Sequence, residues 1–377
     1  MAARIAVVMQ GDATDPASWS GTPAGICAGL EAAGVEVVPI DARLPGSNHL
    51  SRAMRLSWVE ETTNPLLAAA GGLSAEVALR VKGGVDGIVK IGSGFTLSSR
   101  VPTVTYEDMT VVQALAQPGP TYAALSDRAA RRWRSRQGRI YERSRACCAA
   151  SSWVARSIRE DYGIDAERVP VVGLGHSSRV RRVERDWSTP RFIFVGMDWE
   201  RKRGDAVVEA FGSVRRSHRD ASLDLVGGHP PIDAPGVVGH GAFPLGSPDA
   251  RRQLEDLLAR ATCMVVPSEY EPFGIVYLEA AASGIPSIGT TIGGAPDAIG
   301  DGGRTIDPRD PEALRAAMLE IADPAVAQRL GEAASERVAL FSWRAVAERL
   351  LRALRPPGIE IETLAPFLDS PAQRRSS

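Results

Sequence analysis

Short apolar runs alternate with helix-period segments along the whole chain, and this alternation restricts the fold more than any other feature. A run of five or six β-branched residues bounded by turn residues reads as a buried strand. A strand–helix–strand order calls for parallel sheets with helices on both faces. In the first half the strands are expected at Arg4–Met9, Val35–Ile40, Val85–Ile91, Val101–Tyr106, Ala146–Ala150 and Val169–Val172. Helices are expected at Pro23–Ala33, Pro65–Val81, Asp127–Arg143 and Ser152–Tyr162. The second half starts again with strands Arg191–Val195, Ser222–Val226, Val237–Gly239, Thr262–Val266 and Pro286–Ile288. Its helices are expected at Asp205–Ser217, Pro248–Arg260, Ile275–Ser283, Pro311–Ala322, Ala325–Leu340 and Trp343–Leu354. A chain of 377 residues exceeds one ordinary core, so the pattern predicts two doubly wound α/β domains. The first is expected over residues 1–175 and the second over 191–355, joined by a Gly-, Ser- and Arg-rich linker at 176–190. After Pro356-Pro357-Gly358 breaks the last helix, residues 356–377 are expected to return to the first domain and to end in a disordered polar stretch.

Composition narrows the class. The chain is 44% apolar and 24% charged with a net charge of −1, values of a globular protein that point to neither nucleic acid nor an anionic membrane. Lysine occurs only at 82, 90 and 202, and the arginine- and alanine-rich remainder suggests a GC-rich bacterial source. Cys27, Cys147, Cys148 and Cys263 form no C-x-x-C pair and read as buried thiols. Met1-Ala2-Ala3-Arg4 leads directly into a strand, and no apolar run approaches the ~20 residues that span a bilayer, so a cytoplasmic location is expected.

The richest segment is Val266–Gly284, V-P-S-E-Y-E-P-F-G-I-V-Y-L-E-A-A-A-S-G. It reads as strand, loop and helix, the helix closed by Gly284 and Pro286. Glu271 falls in the loop, and Glu279 lies more than a turn into the helix. Gly274 lets a ligand approach the first helical amides, a ready anion site. At ~1.5 Å per residue, Glu279 lies roughly 7–8 Å along the axis from Gly274. That spacing suits phosphate at the helix end and hydroxyls further along, as in a nucleotide diphosphate sugar.

This segment resembles the paired-glutamate motif of glycosyltransferase family 4, retaining enzymes of the GT-B fold. The likeness continues through Thr290–Asp297 (T-T-I-G-G-A-P-D) and Gly302-Gly303. Upstream, Phe192–Gly204 (F-I-F-V-G-M-D-W-E-R-K-R-G) resembles the strand-loop that holds the family's phosphate-binding lysine. The resemblance covers the C-terminal half strongly and the N-terminal half loosely. It implies two Rossmann-like domains facing across a cleft, and a sugar moved with retention from a nucleotide diphosphate donor to a glycan, lipid or natural-product acceptor.

In that scheme Glu271, with the amides near Phe273, Gly274 and Ile275, holds the donor sugar, Glu279 binds ribose hydroxyls, and Lys202 meets the diphosphate. Many members place an arginine directly after the strand's glycine; here it is Met197, so Arg201 or Arg203 is expected to substitute. Gly21 and Thr22, at a helix start after the first strand, read as a second phosphate contact or as a routine turn. Glu107 and Asp108 stand where many members carry a sugar-contacting histidine; each reads as a ligand contact or as a loop acid capping a turn. The segment 128–145 holds eight arginines; those at 128, 131, 132, 134, 136 and 139 are expected to fall on several helical faces and to make a solvated helix, with peripheral membrane contact the less favoured reading. No histidine or cysteine spacing matches a zinc site and no Asp-x-Asp occurs, so neither a metal nor another cofactor is expected. The alternatives are a catalytically silent nucleotide-sugar-binding regulator, or another GT-B activity such as a sugar phosphorylase or epimerase.

Overall fold

The structure, a computed structural model, describes residues 2–43, 58–117, 122, 125–176, 184–244 and 247–368. The chain forms two compact units, Met1–Gly175 with Ser342–Ser377, and His176–Phe341.

Unit 1 is built on a five-stranded parallel sheet of order β2-β1-β3-β4-β5. The strands are β1 (Arg4–Met9), β2 (Glu36–Asp41), β3 (Gly87–Ile91), β4 (Thr103–Glu107) and β5 (Ala146–Ala149). Strands β1, β3 and β5 are buried almost throughout, which is why they read as unbroken apolar runs rather than alternating ones. Pro39 is tolerated in β2 because that strand is at the edge and pairs only with β1. The covering helices are α1 (Thr22–Ala32), α2 (Pro65–Lys82), α3 (Asp127–Arg143) and α4 (Ser152–Tyr162). Asn64, Ser126 and Ser151 cap α2, α3 and α4 through their side chains.

Unit 2 carries a six-stranded parallel sheet of order β11-β10-β9-β6-β7-β8. Its strands are β6 (Arg191–Gly196), β7 (Ser222–Gly227), β8 (Val237–Gly241), β9 (Cys263–Val265), β10 (Ser287–Thr290) and β11 (Gly303–Ile306). Its longer helices are α5 (Gly204–Ser217), α6 (Pro248–Arg260), α7 (Ile275–Ala282), α8 (Pro311–Ile321) and α9 (Pro324–Arg337). In each unit the strand order reverses once, beside β1 in unit 1 and between β6 and β9 in unit 2. Crevices at such reversals, outside the carboxyl ends of the strands, are where open α/β sheets bind ligands.

Four expectations need correction. The last helix, α10 (Trp343–Leu354), belongs to unit 1 and not to the second domain. Its Trp343 lies so close to Gly25 and Gly175 that a Cβ at either would come within 2.0 or 2.3 Å of the ring. Arg349, 2% exposed, donates to the carbonyls of Val172 at 3.0 Å and Pro366 at 2.7 Å. The chain therefore returns at Ser342, fourteen residues before Pro356. Residues 184–190 are likewise packed, not a free linker, because Arg185 donates to Ser283 O at 2.9 Å and Gly284 O at 3.2 Å and so closes the carbonyl end of α7. The rest of the expected linker, 177–183, lies outside the described residues, as does the expected disordered end.

Val169–Val172 forms a single bridge from Val171 to Ala149 rather than a strand. Conversely, β11 was not expected, because it opens on Gly303 within a glycine-rich turn and offers little β propensity to read. All four cysteines are buried free thiols, as expected. Among the described residues, no helix is long and apolar enough to cross a membrane.

Candidate active site

At the reversal between β6 and β9 the loops after three neighbouring strands are bound together. The loop after β6 (197–203) meets the loop after β9 (266–274) through Glu269 N donating to Arg201 O at 2.8 Å. The loop after β10 joins through Glu271 N to Ile292 O at 3.1 Å and Gly294 N to Glu271 O at 2.9 Å. Gly293 must be glycine here, since its φ is 102° and a Cβ would lie 2.0 Å from Glu271 O. The backbone of Glu271 is thus fixed from both sides before its side chain does anything.

Its carboxylate faces cations. Lys202 Nζ stands 3.7 Å and Arg201 Nη1 3.8 Å from Glu271 Oε2, and Ser268 Oγ donates to the same oxygen at 3.3 Å. Lys202 is only 9% exposed, its Nζ also near Val195 O at 3.5 Å, and its aliphatic stem lies over Gly196, where a Cβ would come within 2.3 Å. Burial lowers its pKa, and Glu271 beside it opposes that shift. Arg201 is committed elsewhere: it donates to Tyr270 O at 2.8 Å, stacks 5.1 Å over the Tyr270 ring and pairs with Asp198 at 3.3 Å. Its guanidinium orders the loop, whereas Lys202 faces the Glu271 carboxylate.

The two helices flanking this point share a further property. α5 starts from Arg203 (φ 60°) and α7 from Gly274 (φ 93°), both left-handed and neither with a side-chain cap. The other long helices of unit 2 are capped by Ser247, Asp310 and Asp323. The uncapped amides at α7 make a local positive end, suited to an anion. Gly274 is required there, because a Cβ would sit 2.4 Å from the Tyr277 ring, whose hydroxyl donates to Val266 O at 2.6 Å and ties α7 to the end of β9. Ile275 is half-buried at the helix start, while the Phe273 side chain is core, 5.6 Å from the Phe341 ring, so only its backbone can face a ligand.

Glu279 follows on α7. Burial pushes its carboxyl up to about 7, with Arg251 and Lys202 pulling the other way. It therefore titrates near neutrality and can accept hydrogen bonds once ionised. Met197, where the family resemblance led to the expectation of an arginine, is exposed.

The other expected site residues lie in unit 1. Gly21 and Thr22 open α1 beside the reversal at β1, and Trp19, Ser20 and Gly21 form a run of left-handed residues (φ 48°, 53° and 84°). Two such non-glycine residues store roughly 1–3 kcal/mol each, a cost found at ligand loops. Thr22 itself is buried, 3% exposed.

Glu107 corrects the expectation of a loop acid. It ends β4, is 3% exposed and lies in the layer with Lys90 and Gln137, its Oε1 without a hydrogen-bond partner among the described residues. Burial raises Glu107 and lowers Lys90, and their attraction opposes both shifts. Lys90 Nζ donates to Gly92 O and lies 4.2 Å over the Phe95 ring, so its positive charge is buried beside Glu107. The sequence pattern missed this pair because Lys90 sits in an apolar run. Asp108, partly exposed, starts the loop after β4. On α3 the expected spread holds for Arg134, which lies 6.0 Å over the Tyr162 ring and donates to Asp161 O at 3.2 Å, but Arg128, Arg131, Arg132, Arg136 and Arg139 line one groove. Among the described residues, no group of three or more His, Cys, Asp or Glu is arranged to hold a metal ion.

Against this geometry, residues 189–323 match the family model described as "Glycosyl transferases group 1". A glycogen synthase of Mycobacterium tuberculosis is 34% identical over 204 residues, covering 49% of this chain and 45% of that protein. An alpha-maltose-1-phosphate synthase of the same organism is 32% identical over 213 residues, covering 50% of this chain and 54% of its own. The chain thus spans about half the length of these curated relatives. Among solved structures, sucrose-phosphate synthase from Thermosynechococcus elongatus matches with a TM-score of 0.68 at 20% identity, over 94% of this chain and 98% of that one.

Proposed function

For a chain whose second unit carries a glycosyl transferases group 1 domain within a GT-B fold, we propose the activity of a family 4 retaining glycosyltransferase. It is read as a bacterial cytoplasmic enzyme that uses a nucleotide diphosphate sugar and needs no metal. The supporting observation is the coincidence of Lys202, Glu271 and the uncapped α7 terminus at one strand-order reversal. The diphosphate lies against the α7 amides and Lys202, and the ribose against Glu279. Glu271, held by backbone bonds to Ile292 and Gly294, contacts the sugar and keeps Lys202 charged and aimed.

As the glycosidic bond breaks, negative charge grows on the leaving phosphate and positive charge on the sugar. A fixed cation and helix end on the phosphate side stabilise that separation more than they stabilise the bound donor. The acceptor is a glycan, lipid or natural product whose hydroxyl attacks the face that the phosphate leaves, giving its proton to the departing oxygen. No separate nucleophile is required.

The test is a thermal-shift screen against UDP-, GDP-, dTDP- and ADP-sugars, followed by assay of slow nucleotide release. Donor at ~100 times its dissociation constant stabilises by roughly 2.7 kcal/mol. Stabilisation by one base class, lost in Glu279→Ala, is the expected result. Binding with no nucleotide release, with or without acceptors, would leave a silent sensor instead.

A further inference from the structure

The groove along α3 in unit 1 has no part in the reading above. It measures about 520 Å³, within the range of small-molecule sites of about 300–1,000 Å³, and is lined by Arg128, Arg131, Arg132, Arg136 and Arg139. Among the described residues, none of those lining it is acidic. These arginines recur at spacings of three and four along one helix, which sets like charges side by side and opposes the helix. Within α3 the only acids are Asp127 and Glu142, near its ends. Asp127 reaches Arg131 at 4.0 Å, both largely exposed, a pairing of little weight.

The floor of the groove is built rather than incidental. Arg136 is 5% exposed, and its Nη1 donates to Thr62 O at 2.8 Å and to Gly94 O. It thereby fixes the two chain segments that supply Thr63 and Thr96 to the same groove. Next to it, Trp133 Nε1 donates to Ser93 Oγ at 2.9 Å, so the helix is anchored on both sides of the buried guanidinium. Burial, with Arg139 nearby, lowers Arg136 to about 10, which leaves it cationic at neutral pH. A buried cation on the floor and four exposed ones above it form a concave positive surface, where field lines concentrate and draw in anions.

We infer that this groove binds a small ligand carrying two or more phosphate or carboxylate groups, taken up by planar bidentate guanidinium contacts. Two sources share that chemistry, a free phosphorylated metabolite and a phospholipid headgroup, and the experiment separates them. Lys202→Ala protein, in which the unit 2 phosphate site is weakened, is titrated with tripolyphosphate by calorimetry at low and high salt. In parallel it is sedimented with phosphatidylcholine vesicles with and without phosphatidylglycerol. The same measurements are made with Arg128→Gln/Arg132→Gln added; both side chains are exposed, so the fold is retained.

A single tripolyphosphate site that weakens at least tenfold in the arginine variant, and weakens with salt, supports a soluble ligand. Arginine-dependent sedimentation with the anionic vesicles alone supports the headgroup source. Binding of either probe that is indifferent to the two arginines, or no binding of both at low salt, overturns the inference. Because Lys202 is already removed, failure here leaves the reading of unit 2 intact.

Discussion

Lys202 and Glu271, 69 residues apart in sequence, bring Nζ and Oε2 to 3.7 Å across the loops that follow the adjacent strands β6 and β9. Both side chains are about one-tenth exposed, so neither charge is well solvated and each depends on the other. On the reading proposed above, a donor diphosphate arriving at this point would meet a cation already oriented by a carboxylate. Three consequences can be measured at the same site, and a fourth in unit 1.

Lys202→Ala should cost more in turnover than in donor affinity, because charge on the leaving phosphate grows toward the transition state. A preorganised cation in such a site is worth roughly 3 kcal/mol, or about a hundredfold in rate. Arg201→Ala should act mainly by loosening the loop at Tyr270, raising KM more than it lowers kcat. Saturating-donor kinetics on the Lys202, Arg201 and Arg203 alanine variants decide the matter. A near-normal Lys202→Ala enzyme beside a collapsed arginine variant would reassign the role.

Donor binding should strengthen as pH rises through 7. Burial pushes Glu279 up to about 7 in the free protein, whereas hydroxyls donating to it favour the carboxylate. The ionised fraction rises roughly tenfold between pH 6 and 8, and apparent affinity should follow it. Binding near pH 7 should therefore release protons, seen by calorimetry in buffers of different ionisation enthalpy. In the free fold the sign is opposite: a raised carboxyl adds stability while protonated and loses it as pH rises through about 7. Glu279→Gln should remove both effects, and proton uptake on binding would contradict the assignment.

Turnover should survive excess EDTA. Lys202, Arg201 and the α7 terminus already supply positive charge where a diphosphate would lie. Complete loss on chelation, restored by magnesium or manganese, would mean that the protein's own cations do not suffice.

Gly25→Val should destabilise unit 1 selectively. The new side chain would occupy the space of the Trp343 ring, which lies 2.0 Å from where its Cβ would stand, and overpacking of this kind costs typically 1–3 kcal/mol. Denaturation followed by Trp fluorescence should shift, while nucleotide-sugar binding by unit 2 holds. Parallel loss of both would show that the units do not fold independently.

Sequence by itself determined the strand–helix alternation, the two-sheet architecture and the strand-loop-helix around Glu271 and Glu279, because apolar periodicity and glycine placement are local properties. It also marked Lys202, a lone lysine in an arginine-rich segment. What it could not determine was membership across long separations. The helix Trp343–Leu354 has the same amphipathic pattern whichever sheet it covers, and only its fit against Gly25 and Gly175 assigns it to unit 1. Glu107 looked like a loop acid because strand ends are not sharp in sequence; the tertiary structure buries it beside Lys90, which is itself hidden in an apolar run. The α3 arginines seemed scattered when counted along the chain, yet the packed walls at Thr63 and Thr96 turn five of them into one groove. Only folding brings Lys202 against Glu271, because the strand order β9-β6 joins segments that the chain keeps far apart.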